Sequence, residues 1–361
     1  MRLIPLLYTA LVGTSLNAQE VGHNLADFQK MARTQPHHYP AGKIKTMIVV
    51  DGKLDEAAWE KAPWTDLFQD IEGPVKPKPT YNTRAKMLWD DNYLYIAADL
   101  VEPNLSGTLT KRDSVIFQDN DFEVFIDPNG DSHEYFELEI NALNTVWDLF
   151  LGKPYKDGGA AVDAWDIKGL KHAVHLDGTL NQPGDVDRGW TVEMAIPWVA
   201  LAPEAGMSLP PKTNDFWRMG FSRVEWLYEV KDGKYVKVPN RPENNWIWSP
   251  QGIVDMHRPE KWAYVHFVAD AAKAGKLEDP AYALKETLHE VYYRQRDFKE
   301  SKERWAASFD ELGLRAAKVN DWHLSITSTT NGYTATGSLG EQVWSIRQDA
   351  KITRTPPVKA K

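Results

Sequence analysis

Four carboxylates on two predicted strands are the groups of this sequence that could do chemistry together. Asp121 and Glu123 are two residues apart, and so are Glu137 and Glu139. If the two strands are neighbours, a pair of these groups could flank a glycosidic bond, which needs carboxylates about 5–9.5 Å apart. The alternative is the polar face of half-buried strands. No acid/base motif accompanies the carboxylates, so the sequence favours that alternative.

A loop rich in oxygen ligands follows the first of these strands. Asp127, Asn129 and Asp131 have the spacing with which an EF-hand loop begins, but Ser132 and Leu138 occupy the positions that need Gly and Glu. Pro, Asn and Gly in this order suit a tight turn between strands. The sequence predicts a turn here, with Asp127, Asn129 and Asp131 as weaker candidate ligands of a calcium ion.

The composition excludes several classes of function. The chain has 361 residues, a formal net charge of −9 and no Cys. The negative charge argues against nucleic acid as a partner, since such binding needs a clustered positive surface. The lack of Cys excludes thiolate metal sites and Cys nucleophiles, and no cofactor is required. The 15 Trp and 14 Tyr residues are unusual, because flat rings with a polar edge suit amphipathic ligands.

The N-terminus has the pattern of a secretory signal. Arg2 precedes an apolar run over residues 3–16, and the small residue Ala18 ends a cleavage site. The run is shorter than the roughly 20 residues that span a bilayer, and no other stretch qualifies as a transmembrane segment. The sequence therefore predicts a signal peptide at residues 1–18 and export to the periplasm or the extracellular space.

Hydrophobic periodicity divides the rest of the chain. Residues 19–44 form a lead-in without clear period, and residues 45–268 contain short alternating strands separated by turns, typical of an all-β sandwich. After residue 269 apolar residues recur seven apart, which predicts one amphipathic helix from Asp279 to about Gly313. Alternation around Asn331 and Gly332 predicts a small β-hairpin, so residues 269–361 read as a C-terminal extension.

Four short motifs then carry a family resemblance. They are 48–59 with its Asp51-Gly52 turn, 88–95, 121–127 and 189–198. In their order and spacing the chain resembles the family 9 carbohydrate-binding modules over residues 46–268. The resemblance implies an antiparallel, DOMON-like β-sandwich that binds a sugar ring between aromatic side chains.

The resemblance also implies positions for a sugar site. Glu123 matches the family's hydroxyl-binding Glu, and Phe117 stands where the first stacking Trp would be. Met256 matches the second stacking position, and Glu139 stands where the family can carry an Arg. A Phe can stack on a sugar, whereas a Met offers a softer and weaker surface.

Further residue types that sugar sites use lie on predicted strands nearby. An Arg–Glu pair on a strand is more often a structural ion pair, and each of these residues has that simpler interpretation. The candidates are Asn141, Trp147, Arg223, Glu225, Trp226 and Trp246.

These features lead to one functional hypothesis and two alternatives. The hypothesis is an exported, non-catalytic protein that binds an oligosaccharide or polysaccharide and assists polysaccharide-degrading enzymes. The first alternative is a glycoside hydrolase that uses Glu123 with Glu137 or Glu139. The second is an interaction protein whose C-terminal helix docks a partner.

Overall fold

The computed structural model describes residues 23–315 and 322–355, so the signal peptide predicted for residues 1–18 lies outside the described residues. The strands in chain order are β1 His38–Lys43, β2 Gln69–Asp70, β3 Thr83–Trp89, β4 Tyr93–Val101, β5 Asp121–Asp127, β6 Tyr135–Asn141, β7 Val146–Leu151, β8 Ala161–Val162, β9 Lys171–Asp177, β10 Gly189–Pro197, β11 Phe216–Glu225, β12 Tyr228–Lys231, β13 Lys234–Lys237, β14 Asn244–Ile247, β15 Ala263–Val268, β16 Ser325–Ser328, β17 Tyr333–Leu339, β18 Gln342–Arg347 and β19 Ile352–Thr355. The α-helices are α1 Leu25–Met31, α2 Ala57–Lys61, α3 Trp198–Leu201 and α4 Tyr282–Lys302.

One curled sheet of 13 strands forms the body of the molecule. Its main path runs β8-β7-β6-β5-β11-β15-β1-β3-β4-β10-β9, with β14 beside β11 and β2 beside β14. The sheet folds over so that its two halves face a shared core. Phe122 and Phe221 enter this core from one half, and Met87, Ile96 and Val192 enter it from the other. The predicted all-β sandwich is confirmed.

Strand alternation separates the two faces of each layer. In β6, Phe136, Leu138 and Ile140 point into the shared core, whereas Tyr135 belongs to a second apolar cluster on the opposite face. Side chains two residues apart share one face of a strand. The acidic residues of β5 and β6 therefore lie on the face that turns away from the shared core.

The predicted lead-in contributes a strand that joins the two halves. β1 pairs in parallel with β15 on one side and with β3 on the other. These parallel pairings are an exception to the antiparallel sheet that the sequence predicts. The strand has no apolar alternation because Pro40, Ala41 and Gly42 occupy its centre, so periodicity could not reveal it.

Two of the family-like motifs meet at one buried carboxylate. Glu193 accepts hydrogen bonds from the backbone N–H groups of Asp51 and Gly52, and from the indole N–H of Trp59 at 2.7 Å. Gly52 has a φ of 87°, and a Cβ there would lie 2.7 Å from the backbone of His175. The Asp-Gly turn is therefore required by close approach to the neighbouring strand.

The C-terminal helix is shorter than predicted. α4 has 21 residues and ends at Lys302, and its C-cap residue Glu303 takes a left-handed conformation with a φ of 57°. The Gln295 side chain bonds both the N–H and the C=O of Ala306, and this holds the chain folded back on the helix. The apolar residues expected on the continued helix, such as Phe309 and Leu312, instead pack on α4 from the returning segment.

The predicted hairpin at Asn331-Gly332 is confirmed as β16 and β17, and β18 and β19 extend it to a four-stranded sheet. This sheet, α1 and α4 share an apolar core of their own. Tyr293 of α4 ties it to the sandwich, since its hydroxyl donates to Glu260 and accepts from Arg258. The apolar face of α4 is thus covered by this chain's own residues.

Candidate functional site

The pairing of β5 with β6 brings the four predicted carboxylates together. Glu123 lies directly opposite Glu139, and Asp121 and Glu137 are their neighbours on the same face. Directly opposite residues of antiparallel strands have their Cβ atoms about 5 Å apart. We call Asp121, Glu123, Glu137 and Glu139 the acidic cluster.

The acidic cluster is buried, and this sets its protonation. Its four side chains are between 0 and 5% exposed. Burial raises the pKa of Glu123 to about 7. Burial, followed by repulsion from neighbouring carboxylates, raises the pKa of Asp121, Glu137 and Glu139 well above the usual range. Near neutral pH the cluster therefore retains protons, unless a cation balances its charge.

Few hydrogen bonds reach these carboxylates. Asp121 accepts one from the backbone N–H of Val224, and Glu139 accepts one from the N–H of Phe117 at 2.8 Å. One oxygen of Asp121 and one of Glu137 are buried without a hydrogen-bond partner. Buried polar atoms are seldom left unsatisfied in folded proteins.

Aromatic rings with exposed area lie next to the acidic cluster. The indole N–H of Trp226 donates to the backbone carbonyl of Phe117, and Trp147 lies opposite Glu139 on the next strand. Tyr155 is 45% exposed, and repulsion from Glu137 adds to burial in raising the pKa of its hydroxyl. We call Phe117, Trp147, Tyr155 and Trp226 the aromatic rim.

Met256 and His257 complete this face of the sandwich. Met256 is buried in the apolar cluster that also packs Trp147, where it offers little surface for stacking. His257 lies against Tyr155, with a ring separation of 4.4 Å, and its Nε2 is 4.0 Å from Glu137. Burial lowers the pKa of His257 to about 4, so it is neutral at pH 7 and does not balance the acidic charge.

Arg223 and Glu225 lie on the opposite face, inside the sandwich. Arg223 binds Glu225 and Glu102, each at 2.8 Å, and also bonds Thr83 and the carbonyl of Val101. The arginine is 1% exposed. In this structure the pair is part of a buried ion triad that ties β11 to β3 and β4.

Asn141 and Trp246 also have internal roles. The Asn141 amide donates to Leu109 and Asp119, while its oxygen accepts from the N–H groups of Leu143 and Thr145. Trp246 is 5% exposed and belongs to the shared core. Their bonds and burial position the loops and strands beside the acidic cluster.

The residues predicted as weaker calcium ligands form a hydrogen-bonded turn between β5 and β6. Asp127 accepts from the N–H groups of Gly130 and Ser132, and Asp131 forms an ion pair with Lys351 at 3.2 Å. Asn129 and Asp131 bond each other. The predicted turn is present, and its carboxylate oxygens already have partners.

The sequence analysis missed three participants of the site. Tyr155 follows β7 in a short turn, His257 lies beside Met256, and Ser222 of β11 lies directly opposite Glu123. Ser222 was within reach of prediction, since alternation in β11 separates its face from that of Arg223. Tyr155 and His257 reach the cluster through loops, for which periodicity carries no signal.

A family model matches a central segment of the chain. Residues 50–226 match the family model "Carbohydrate family 9 binding domain-like". The exoglucanase XynX of Acetivibrio thermocellus is 29% identical over 153 residues, which are 42% of this chain and 12% of that protein. The endo-1,4-beta-xylanase A of Thermoanaerobacterium saccharolyticum is 29% identical over 158 residues, or 44% of this chain and 11% of that protein. The chain thus matches only about a tenth of these relatives' length.

Solved structures give matches of low identity. A carbohydrate-binding protein of Bacteroides uniformis has a TM-score of 0.48 and 14% identity, covering 64% of this chain and 100% of that one. A family 9 carbohydrate-binding module of Caldicellulosiruptor kristjanssonii in complex with cellotriose has a TM-score of 0.39 and 18% identity, covering 68% of this chain and 99% of that one.

No helix within residues 23–315 and 322–355 has both the length and the apolar character needed to cross a bilayer. The four sequence motifs lie within or beside the matched segment, and the curled sheet of strands has the architecture that those motifs predict. Residues 50–226, just under half of this chain, are similar to the carbohydrate family 9 binding domain-like family.

Proposed function

We propose that the protein binds carbohydrate at the aromatic rim, with the acidic cluster supplying hydrogen-bond acceptors. The observation that supports this most is the grouping of exposed ring area with buried carboxylates on one face of the family segment. Phe117, Trp147 and Trp226 are half-buried, and Tyr155 is more exposed.

The physical basis is the amphipathic character of a sugar. The apolar face of a pyranose ring is desolvated against an aromatic ring, while its hydroxyls bond polar groups at the edge. Phe117 connects the two elements, because its N–H donates to Glu139 and its carbonyl accepts from Trp226. Ring position and carboxylate position are thereby fixed together before any ligand arrives.

Hydrolysis fits the same residues less well. A catalytic carboxyl has to reach the glycosidic oxygen, and a catalytic pair flanks the bond from two sides. Glu123 and Glu139 lie directly opposite each other on one face of the sheet, so they do not flank a bond from two sides. We therefore propose a binding role without catalysis. If the protein released reducing sugar from a polysaccharide and Glu123→Gln abolished that release, hydrolysis would replace binding as the proposed function.

Export and a role beside polysaccharide-degrading enzymes are part of the proposal. The pattern of residues 1–18 supports export, and the matching relatives are named as xylanases and an exoglucanase. The names of those relatives suggest xylo-oligosaccharides and cello-oligosaccharides as the first ligands to try.

The test is calorimetric titration of the protein with these oligosaccharides and with glucose. Trp226→Ala should weaken binding about 2- to 10-fold, the range expected for the loss of one stacking contact. Trp64→Ala is the matched control, since Trp64 is also half-buried with a cation over its ring. Absence of heat with every sugar, or an equal loss in both variants, would contradict the proposal.

A further inference from the structure

A groove lies where the C-terminal four-stranded sheet meets the turn between β5 and β6. Its volume is about 550 Å³, within the range of about 300–1,000 Å³ that is typical of small-molecule sites. The beginnings of β11 and α4 and the strands β18 and β19 supply its other walls. We call this space the junction groove, and the lining side chains that matter most are Asn129, Phe216, Arg218, Lys285, Trp344 and Arg354.

The junction groove is separate from the acidic cluster. Arg218 lies opposite Asp127 at the end of β5, four residues beyond Glu123. A strand advances about 3.4 Å per residue, so about 14 Å of strand separate the two places. Halfway between them Phe125 is covered by the fully buried ring of Trp262, at a ring separation of 5.5 Å. A ligand of the groove therefore does not depend on the carbohydrate binding proposed for the aromatic rim.

Arg218 is the side chain that most needs a ligand in the junction groove. It is 6% exposed, and among the residues that the structure describes no carboxylate forms an ion pair with it. Its guanidinium stacks on Tyr264 and donates from Nη2 to the backbone carbonyl of Glu260 at 2.7 Å. Its Nε is buried without a hydrogen-bond partner. A buried charge without a counter-charge is costly, so an anion bound here would stabilise the structure.

The carboxylates near Arg218 are engaged elsewhere. Asp127 accepts from two backbone N–H groups, and burial raises its pKa to about 7, so it carries only part of a negative charge at neutral pH. Asp131 forms an ion pair with Lys351 at 3.2 Å. Asp215, on the groove wall, accepts from a backbone N–H. The charge of Arg218 is thus left largely unbalanced.

Two further cations lie beside the Trp344 ring. The ammonium of Lys285 is 4.7 Å from the ring centre and pairs with Asp279 at 2.6 Å. Burial lowers the pKa of Lys285, Asp279 opposes this shift, and repulsion from Arg218 adds to it. Arg354 is exposed on β19, and its Cζ is 5.9 Å from the same ring centre. The groove therefore has an excess of positive charge, although the chain has a net charge of −9.

The remaining walls offer surfaces that suit a sugar ring. Phe216 and Trp344 are half-buried, and Nε1 of Trp344 is buried without a hydrogen-bond partner. Asn129 and Asn214 are exposed at the edge of the groove. Aromatic rings pack on the apolar face of a pyranose, and amides bond its hydroxyls. A guanidinium binds a carboxylate through parallel N–H···O bonds. A hexuronate, a sugar that carries a carboxylate, combines all three requirements.

We propose that the junction groove binds a hexuronate, with Arg218 as the partner of its carboxylate. Trp344 packs against the sugar ring, and Arg354 adds positive charge on the open side. The groove and the aromatic rim then select different ligands, because the rim lies beside carboxylates and the groove beside cations.

The experiment is calorimetric titration of the full chain with glucuronate and with two compounds that each lack one feature. Glucuronamide keeps the ring and its hydroxyls but has no charge, and acetate has the charge without the ring. Glucuronate should bind at least about 10-fold more tightly than either compound, since hydrogen bonds between charged groups are the strong ones. The proposal is overturned if millimolar glucuronate gives no heat, or if acetate or glucuronamide binds as tightly.

Two variants locate the ligand. Arg218→Met should weaken glucuronate binding at least about 10-fold, and urea unfolding shows whether this buried substitution leaves the protein folded. Arg354→Met changes an exposed residue and should weaken binding about 2- to 5-fold.

The matched control is Arg347→Met. Arg347 is exposed on the same small sheet and pairs with Asp349 outside the groove, so this variant should bind glucuronate as the wild type does. Equal affinities in Arg354→Met and Arg347→Met would place glucuronate elsewhere and overturn the proposal, and so would a folded Arg218→Met with wild-type affinity. None of these results depends on whether neutral sugars bind at the aromatic rim.

Discussion

Two buried sets of carboxylates lie on opposite faces of β11 and its neighbours, and they differ in one respect. Glu102 and Glu225 face the inside of the sandwich and share Arg223 at 2.8 Å. The acidic cluster lies on the other face and has no such partner among the described residues. Burial of a paired charge stabilises a structure only as long as the pair is intact, whereas burial of unpaired carboxylates favours a bound proton or cation.

Strand alternation produces this difference. Ser222 and Arg223 are adjacent in β11, so their side chains point to opposite faces of the sheet. Arg223 turns inward to Glu102, and the short Ser222 faces Glu123. The same strand therefore supplies a cation to one set of carboxylates and a small hydroxyl to the other. The first arrangement holds the fold together, and the second leaves a site open to a ligand.

Removal of the shared cation should have the largest effect. Arg223→Met leaves Glu102 and Glu225 buried without a partner, and loss of one member of a buried pair costs about 3–5 kcal/mol. Urea unfolding measures the change. The control is Arg84→Met, which breaks the partly exposed pair with Asp99 and should cost less than about 1 kcal/mol. Equal costs in the two variants would mean that the triad is no more important than a surface pair.

The pH dependence of stability should reveal the unpaired set. The pKa of Glu123 is raised by burial to about 7, so the folded state holds its proton more tightly than the unfolded chain does. This contribution to stability is present in acid and is lost as the pH rises from about 4.5 through 7. Glu123→Gln should therefore gain about 2–3 kcal/mol relative to the wild type between pH 5 and pH 8.

The difference between variant and wild type is the quantity to measure, by urea unfolding at both pH values. Buried histidines with lowered pKa values, such as His257, act in the opposite direction but are common to both proteins. A difference that does not change with pH would mean that Glu123 is paired in a way that the structure does not show.

Much of the fold could be predicted from the local alternation of apolar and polar residues. Alternation shows which side chains of a strand share a face, but not which strands pair. Alternation alone separates Phe136, Leu138 and Ile140, which lie in the core, from Glu137 and Glu139 on the other face. Alternation does not show which strands pair. The sequence therefore predicts a pair of nearby carboxylates only on the condition that β5 and β6 are neighbours.

Contacts between distant parts of the chain account for what the sequence did not reveal. Arg223 and Glu102 are 121 positions apart, and no periodicity links them. The early end of α4 depends on Gln295, whose amide bonds the returning chain at Ala306. In the sequence that Gln is visible only as an interruption of an apolar row. Side-chain bonds of this kind are decided by tertiary packing, not by local propensity.

The prediction with the smallest expected effect tests whether Lys237 is a counter-ion of the acidic cluster. Lys237 places its ammonium 3.3 Å from the centre of the Trp226 ring and 3.3 Å from the Gln118 amide oxygen. Burial lowers its pKa, and the carboxylates that oppose this shift are Asp119 and Glu243, which lie outside the cluster. Its role is therefore to hold the indole of the aromatic rim.

Lys237→Met keeps the apolar stem over the ring and removes only the charge. We expect a loss of about 0.5–1 kcal/mol, the size of a partly exposed cation–π contact, in urea unfolding at pH 5 and at pH 8 alike. If Lys237 instead balanced the acidic cluster, the loss would grow with pH as Glu123 gives up its proton, and it would exceed about 2 kcal/mol at pH 8. Equal losses at the two pH values would show that Lys237 stabilises the fold through the Trp226 ring and is not a counter-ion of the acidic cluster.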